Sequence, residues 1–185
     1  MKVYRVVADV NQYQSLSPTD EEIWATERLT FDGSGRVKSW TAPEVFVLHP
    51  LLAKGDFMHL APGTIVARPR ALELLAKQFE MAGEILPLQH EGESLGVLNV
   101  TECINALDED RTVWLLDGGS GRRVFPKSYV FRSDRFTDAP LFKIPPTCRG
   151  ELLTVEGLRD PEDEFKTLVE ANGLTGLRFV ELWSG

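Results

Sequence analysis

Apolar residues at helical spacing predict a first helix in the middle of the chain, over about residues 69–82. Leu72, Leu75 and Phe79 fall on one face when the chain turns every ~3.6 residues, which is typical of a helix packed on a core. Gly83 follows and can end the helix, because glycine adopts the backbone conformation of a helix stop at little cost. We therefore expect these three apolar side chains to be buried.

A second helix is predicted over about residues 161–171. Asp160 is a favourable N-cap, and Pro161 suits the first helical position, where its missing N–H costs nothing. Phe165 and Leu168 lie on the same face three residues apart, so we expect both to point into the core. Residues 17–22 predict at most a short helix or turn.

The other apolar segments are short, rich in β-branched and aromatic residues, and separated by turns, which favours strands. These candidate strands cover residues 2–10, 45–48, 95–107, 129–132, 141–144, 152–155 and 175–183. Helices do not alternate regularly with them, so a parallel βαβ arrangement is disfavoured. The sequence predicts an α+β fold, mainly antiparallel β-sheet, with the two helices packed on it.

Two Gly-rich turns with nearly the same residues predict two β-hairpins. Asp-Gly-Ser-Gly at residues 32–35 lies inside the β-prone segment 28–40, and Asp-Gly-Gly-Ser-Gly at 117–121 lies inside 112–125. Glycine supplies the positive φ that tight hairpin turns require. An internal duplication would explain the likeness, but independent use of the same turn residues is the simpler interpretation.

Length and composition favour one domain over residues 1–185, with two lobes at about 1–95 and 96–185 as the alternative. The 28 acids and 20 lysines and arginines give a net charge of −8, which repels nucleic acid and attracts basic partners. No apolar run reaches the ~18 residues of a bilayer span. We expect a cytoplasmic protein that contacts neither nucleic acid nor membrane.

Motifs for catalysis or cofactor binding are missing from the sequence. It has no HExxH, no Gly-x-Ser-x-Gly and no Walker A pattern, so His49, His59 and His90 are expected to be packed or on the surface. Cys103 and Cys148 are expected to be buried free thiols, with a single disulfide as the alternative. We expect no cofactor, no metal and no enzymatic activity, although a carboxylate pair acting as acid and base leaves no motif.

Several segments of the chain resemble a known bacterial family. Residues 129–135, Tyr-Val-Phe-Arg-Ser-Asp-Arg, and 139–144, Ala-Pro-Leu-Phe-Lys-Ile, are similar to the eleventh family of predicted immunity proteins of polymorphic toxin systems, formerly a domain of unknown function. Residues 169–179 resemble its closing helix and strand, and residues 3–9 its usual start. Its motif positions look like scaffold rather than contact residues: Phe131, Arg132, Phe142, Lys143, Gly173, Gly176 and Phe179.

The resemblance implies a cytosolic antidote that binds and neutralises a cognate toxin encoded by a neighbouring gene. Inhibition by stoichiometric occlusion needs a complementary surface and no reacting group. Two alternatives stay open: an adaptor or chaperone for an effector, and an enzyme that reverses toxin damage. We expect the free protein to be a monomer.

Acidic loops are the surface that we expect to bind a basic toxin face, because loops protrude and carry recognition. The candidates are Asp20, Glu21, Glu22, Glu91, Glu93, Asp108, Glu109 and Asp110, with Asp108–Asp110 favoured because that loop lies between two strands. Simple solvation of these loops is the alternative. Residues 122–149 are locally basic, with seven bases against two acids, and pairing with acids inside the fold is the simpler interpretation of that excess.

Overall fold

Short strands supply most of the regular structure. The computed structural model describes residues 1–25 and 28–185, with 34% of residues in strands and 18% in helices. The strands are β1 (Lys2–Ala8), β2 (Leu16–Pro18), β3 (Val45–Val47), β4 (Phe57–Met58), β5 (Ile65–Ala67), β6 (Gly83–Leu88), β7 (Leu95–Val100), β8 (Val113–Leu116), β9 (Arg123–Ser128), β10 (Leu153–Glu156) and β11 (Leu177–Ser184). The helices are α1 (Glu22–Ala25), α2 (Pro69–Leu74), α3 (Ala76–Ala82) and α4 (Phe165–Ala171).

The strands form antiparallel sheets. One sheet has the order β10-β1-β11, a second has the order β4-β5-β7-β6, and β2-β3 and β8-β9 are separate two-stranded sheets. Every pairing between these strands is antiparallel. The predicted α+β fold with mainly antiparallel sheet is therefore confirmed. In the part of the chain that the structure describes, no helix has the length and apolar character to cross a membrane.

The first predicted helix is divided into α2 and α3 at Leu75, whose backbone departs from helical geometry with φ −115° and ψ 19°. The Leu75 N–H still bonds to the Ala71 carbonyl, and its own carbonyl accepts from Phe79, so the apolar face continues across the break. Leu75 and Phe79 are fully buried and Leu72 partly so, which confirms the predicted stripe.

The second predicted helix begins later than its pattern indicates. Pro161–Asp163 is a 3₁₀ turn, and α4 starts only at Phe165 because the backbone of Glu164 is extended. The buried Glu164 carboxylate accepts backbone N–H groups from residues 157–159, which fixes that extended geometry. Phe165 is fully buried and Leu168 packs partly buried against the core, as predicted.

The first predicted hairpin is wrong: the described residues 28–40 contain no strand, and we call this segment the tethered loop. Side chains from β6 and β7 satisfy its backbone instead of a second strand. The Glu84 carboxylate accepts the Arg36 N–H at 2.7 Å, and the Asn99 amide donates to the Ser34 carbonyl at 2.8 Å.

A buried lysine also holds the tethered loop. The Lys143 side chain has no exposed surface, and its ammonium donates to the carbonyls of Phe31 and Gly63, the latter at 2.7 Å. Burial lowers the pKa of Lys143 to about 8, because removal from water disfavours the charged form. This residue links the tethered loop to the turn before β5.

Some strand boundaries also differ from the sequence prediction. Around Phe131 and Phe142 the expected strands are reduced to isolated bridges, and the strand expected over 95–107 ends at Val100. The sequence pattern does not mark β6, which contains Pro87. As an edge strand, β6 tolerates the missing proline N–H.

Both cysteines, Cys103 and Cys148, are free thiols, but they are exposed, so the expected burial is wrong. Cys103 lies beyond the end of β7, and Cys148 follows a 3₁₀ turn at Pro145–Thr147 with a left-handed φ of 53°. Neither position lies in the apolar clusters that form the core, which explains why a small apolar side chain is not covered there.

The core consists of three apolar clusters, centred on residues such as Phe79 and Phe165, Phe31 and Met58, and Phe131 and Phe142. Gly176, one of the motif positions, has a φ of +101°, and a Cβ there would lie 2.3 Å from the Phe57 carbonyl oxygen. No side chain fits at that close approach between β4 and the residue preceding β11.

Candidate protein-binding surface

The second predicted hairpin exists and exposes an apolar face. We call residues 111–128 the apolar hairpin. In its register, Trp114 pairs with Pro126 and Leu115 with Phe125. Trp114 packs against the core and Pro126 is buried, whereas 37% of Leu115 and 51% of Phe125 are exposed. The hairpin therefore has one face on the body and one in solvent.

Three further apolar side chains of the hairpin are exposed. Val113, Leu116 and Val124 are each more than half exposed. They lie next to two irregularities of the ladder, between Val113 and Trp114 and between Leu115 and Leu116. Five exposed apolar residues are therefore concentrated on one hairpin, and clusters of exposed apolar residues are typical of protein-binding surfaces.

Hydrogen bonds and one ion pair fix the base of the hairpin to the body. The Asp108 N–H donates to the Val130 carbonyl at 2.8 Å, and the Val130 N–H donates to the Thr112 hydroxyl at 3.2 Å. The Asp108 carboxylate faces the Arg132 guanidinium at 3.5 Å. These contacts hold the base in place, so the exposed face is presented by a supported element.

The hairpin carries positive charge in an otherwise acidic protein. Residues 111–128 contain four bases and a single acid, Asp117, whereas the whole chain has a charge of −8. Arg123 lies over the Trp114 ring, 5.1 Å from its centre, and forms an ion pair with Glu109 at 3.0 Å. Arg111 and Arg122 form no ion pair with another described residue.

The turn is organised by its own aspartate. The Asp117 carboxylate accepts the Ser120 hydroxyl at 2.6 Å and its N–H at 2.8 Å, and these bonds lower the pKa of Asp117. Gly121 has a φ of +67°, the left-handed conformation for which glycine is suited. Local chemistry therefore closes this turn, as the sequence predicts.

The structure places the predicted acidic residues in separate loops with different environments. Asp20 is exposed and its carboxylate accepts the Glu22 N–H at 3.0 Å, at the start of α1, while Glu21 and Glu22 are exposed. Glu91 is exposed in the connection between β6 and β7. These four remain available for contact with a partner.

Glu93 and the favoured loop Asp108–Asp110 are less available than the sequence suggests. Glu93 is half-buried; burial by itself raises its pKa, but hydrogen bonds to Lys54 and Arg68 lower the pKa overall. Asp108 is buried and Glu109 is paired, so Asp110 is the member of this loop that is exposed without an ion pair among the described residues.

Sequence reasoning missed the apolar exposed face. The signal was present: Val-Trp-Leu-Leu at 113–116 and Val-Phe at 124–125 lack the strict apolar–polar alternation of a strand with one wet face. Such runs are usually buried on both sides. Only the tertiary arrangement, which leaves β8 and β9 as a separate two-stranded sheet, exposes them.

A polar network outside the hairpin lies beside a cavity of about 660 Å³. The Tyr129 hydroxyl accepts from Arg5 at 2.9 Å and donates to Glu151 at 2.9 Å. Burial, reinforced by the negative charge of Glu151, raises the pKa of Tyr129 to about 12. His59 lines the same cavity, and burial lowers its pKa. Among the described residues no group of three or more His, Cys, Asp or Glu side chains could hold a metal ion.

Comparison with known proteins adds no assignment. The chain matches no family model, and no curated protein is significantly similar to it.

Proposed function

We propose that this protein is a cytoplasmic immunity protein that binds a cognate bacterial toxin and neutralises it by stoichiometric occlusion. The apolar face of the hairpin is the observation that carries the proposal. Leu115, Leu116 and Phe125 are exposed on an element whose base is fixed to the body. Burial of such exposed apolar side chains by a partner is favourable, because it removes apolar area from water.

The resemblance of residues 129–135 and 139–144 to immunity proteins supports the choice of a toxin as the partner. These segments directly follow the hairpin, and Phe131 and Phe142 are buried in the cluster on which Trp114 packs. Phe131 and Phe142, two of the motif positions, thus belong to the scaffold that supports the hairpin. A supported element that presents exposed apolar side chains suits a protein that must bind one particular toxin.

The acidic loops have a secondary role in the proposal. Glu21, Glu22 and Glu91 are exposed, and they contribute to the field of a protein with a charge of −8. Such a field accelerates encounter with a basic toxin over a distance of about 8 Å at physiological salt. Neutralising these acids should slow association and leave dissociation unchanged.

The decisive experiment is binding and growth protection with the toxin encoded by the neighbouring gene. Replacement of Leu116 and Phe125 together by lysine should weaken binding at least about 30-fold, the effect of losing a hot-spot contact. Leu51→Lys is the matched control, because Leu51 is fully exposed in another loop. Equal loss in both variants, or no loss in either, would contradict the proposed surface.

Stoichiometry separates the proposal from its two alternatives. Occlusion requires at least one immunity protein for each toxin molecule, so protection should disappear when the toxin is in excess. Protection at a small fraction of the toxin concentration would indicate an enzyme that repairs damage. A stable complex without protection would indicate an adaptor or chaperone.

A further inference from the structure

The two outer edges of the β8–β9 sheet are protected unequally. β9 contains Pro126 and Lys127, both of which hinder the addition of another strand, and it lies against the 3₁₀ turn at Pro145–Thr147. β8 is Val-Trp-Leu-Leu, with neither a charge nor a proline. Natural sheets rarely leave such an edge uncovered, because it pairs readily with another chain.

The backbone of β8 has one unused side. Within the described part of the chain, β8 pairs with β9 and with no other strand. In an antiparallel pair, each strand turns part of its N–H and C=O groups away from its neighbour. Along β8 these groups form no hydrogen bond with another described residue, so an extended segment of a partner can satisfy them.

Charge at the two ends of β8 indicates the composition of that segment. Arg111 lies two residues before the start of β8. Arg122 lies just before β9, across from the other end of β8, because the Asp117 N–H donates to the Arg122 carbonyl at 2.8 Å. Both arginines are exposed and form no ion pair with a described residue, whereas Asp117 is engaged by Ser120. Carboxylates at both ends of an added strand would complement them.

We propose that β8 receives an extended, acidic and apolar segment of the partner as a third strand of this sheet. The proposal rests on the function proposed above and names how the toxin is held. Apolar side chains of the added strand pack beside Leu115, and its carboxylates complement the charges of Arg111 and Arg122. A second copy of this chain is the competing occupant, and the sedimentation measurement below distinguishes it.

The test uses a heptapeptide that alternates glutamate with valine, long enough to span residues 111–117. It should bind the full-length protein saturably with a Kd at or below about 1 mM. A heptapeptide alternating lysine with valine should bind at least about tenfold more weakly. An acidic peptide with proline at its centre should also lose binding, because proline interrupts strand pairing.

Reversing the charge at Arg111 and Arg122 gives the sharpest control. In the double variant Arg111→Glu, Arg122→Glu, the preference should invert, so that the lysine peptide binds more tightly than the glutamate peptide. Lys38→Glu, an exposed charge change in the tethered loop, should leave the preference unchanged. No saturable binding of the acidic peptide, or an unchanged preference in the double variant, would overturn the proposal.

Amide hydrogen exchange identifies the edge. At saturation with the acidic peptide, exchange of some β8 amides should slow at least about tenfold, while the β9 amides change little. If only the β9 amides exchange more slowly, the peptide binds the β9 edge and the proposal is wrong. Concentration-dependent dimerisation through β8 in sedimentation would make a second copy the occupant and would also overturn it.

The same exchange measurement with the toxin separates the two proposals. If the toxin binds the apolar face and β8 amides remain unprotected, strand addition is wrong and occlusion stands. If the toxin does not bind the protein, the proposed function fails, whereas peptide binding at β8 can still be observed.

Discussion

Two Gly-rich segments of this protein contain nearly the same turn and adopt different structures. In the tethered loop, the Asp32 carboxylate accepts the Ser34 hydroxyl at 2.6 Å and its N–H at 3.0 Å. In the apolar hairpin, Asp117 and Ser120 form the equivalent pair of bonds. The local turn chemistry is therefore shared, and it does not decide whether the flanking residues pair as strands.

The flanking residues make the difference. In the tethered loop Leu29 and Phe31 are buried in a core cluster, and side chains such as Glu84 bond its backbone. In the apolar hairpin Leu115 and Phe125 remain partly exposed, and each strand bonds to the backbone of the opposite strand. One segment contributes buried apolar side chains to the core, and the other leaves apolar side chains exposed.

The largest expected difference concerns the aromatic residue of each segment. Phe31→Ala should lower the free energy of unfolding by about 3–5 kcal/mol, because it removes a buried ring and leaves a cavity. Phe125→Ala should change it by no more than about 0.5 kcal/mol, because that ring is half exposed. Urea denaturation of both variants measures the contrast, and equal losses would contradict it.

The lysine that holds the tethered loop and a lysine of the hairpin should make contributions to stability that depend differently on pH. Lys143 has a pKa of about 8 in the folded protein and 10.5 when unperturbed, so between these values the unfolded chain binds more protons. Wild-type stability should therefore rise with pH relative to Lys143→Met, by on the order of 3 kcal/mol at about 1.4 kcal/mol per pKa unit.

The exposed Lys127 of the hairpin supplies the matched control. Lys127→Met should show no such pH-dependent difference from the wild type. Denaturation between pH 7.5 and 10 measures both differences. A constant difference between wild type and Lys143→Met over this range would mean that the ammonium is not held in a dry environment.

A smaller effect is expected at the carboxylate that tethers the loop. Burial alone raises the pKa of Glu84, but hydrogen bonds from Arg36, Val37 and Asn99 lower it overall. Its contribution is therefore present above pH ~4.5 and lost as pH falls through the lowered pKa. Glu84→Gln should cost about 1–2 kcal/mol at pH 7 and less in acid.

Glu80→Gln, on the exposed side of α3, is the control for Glu84→Gln in the same denaturation series. It should leave stability unchanged at both pH values. A cost for Glu84→Gln that is the same at pH 7 and in acid would show that the charge of the carboxylate does not hold the tethered loop.

The smallest effect is expected at the hairpin turn. Asp117→Ala removes both bonds to Ser120 but no buried contact, because Asp117 is exposed. Amide exchange in β8 and β9 should become faster, while the urea midpoint stays at the wild-type value. A shifted midpoint would mean that the hairpin supports the fold as well as presenting a surface.

Periodicity and turn chemistry determined several features without the tertiary structure. Apolar spacing identified Leu75, Phe79 and Phe165 as buried, and short strands separated by turns indicated the α+β class. The turn at 117–121 was predictable because its bonds join residues three positions apart. Each of these features depends on contacts between near neighbours in the chain.

Other features depend on partners that are distant in the sequence. The tethered loop is held by Lys143, which lies 112 positions from Phe31, and by Glu84, 48 positions from Arg36. The burial of Asp108 depends on Arg132 and Val130. Composition cannot indicate such pairings, because many side chains of the same type remain in solvent.

The candidate binding surface also combines features set by the local sequence with features set by distant parts of the chain. The sequence by itself predicted a hairpin over residues 112–125, and it shows that this segment contains apolar and basic residues. Only the tertiary structure decided that Leu115, Leu116 and Phe125 stay exposed, because no other described strand covers β8. Burial is a property of the whole packing arrangement, and a local pattern reports only which residues are able to be buried.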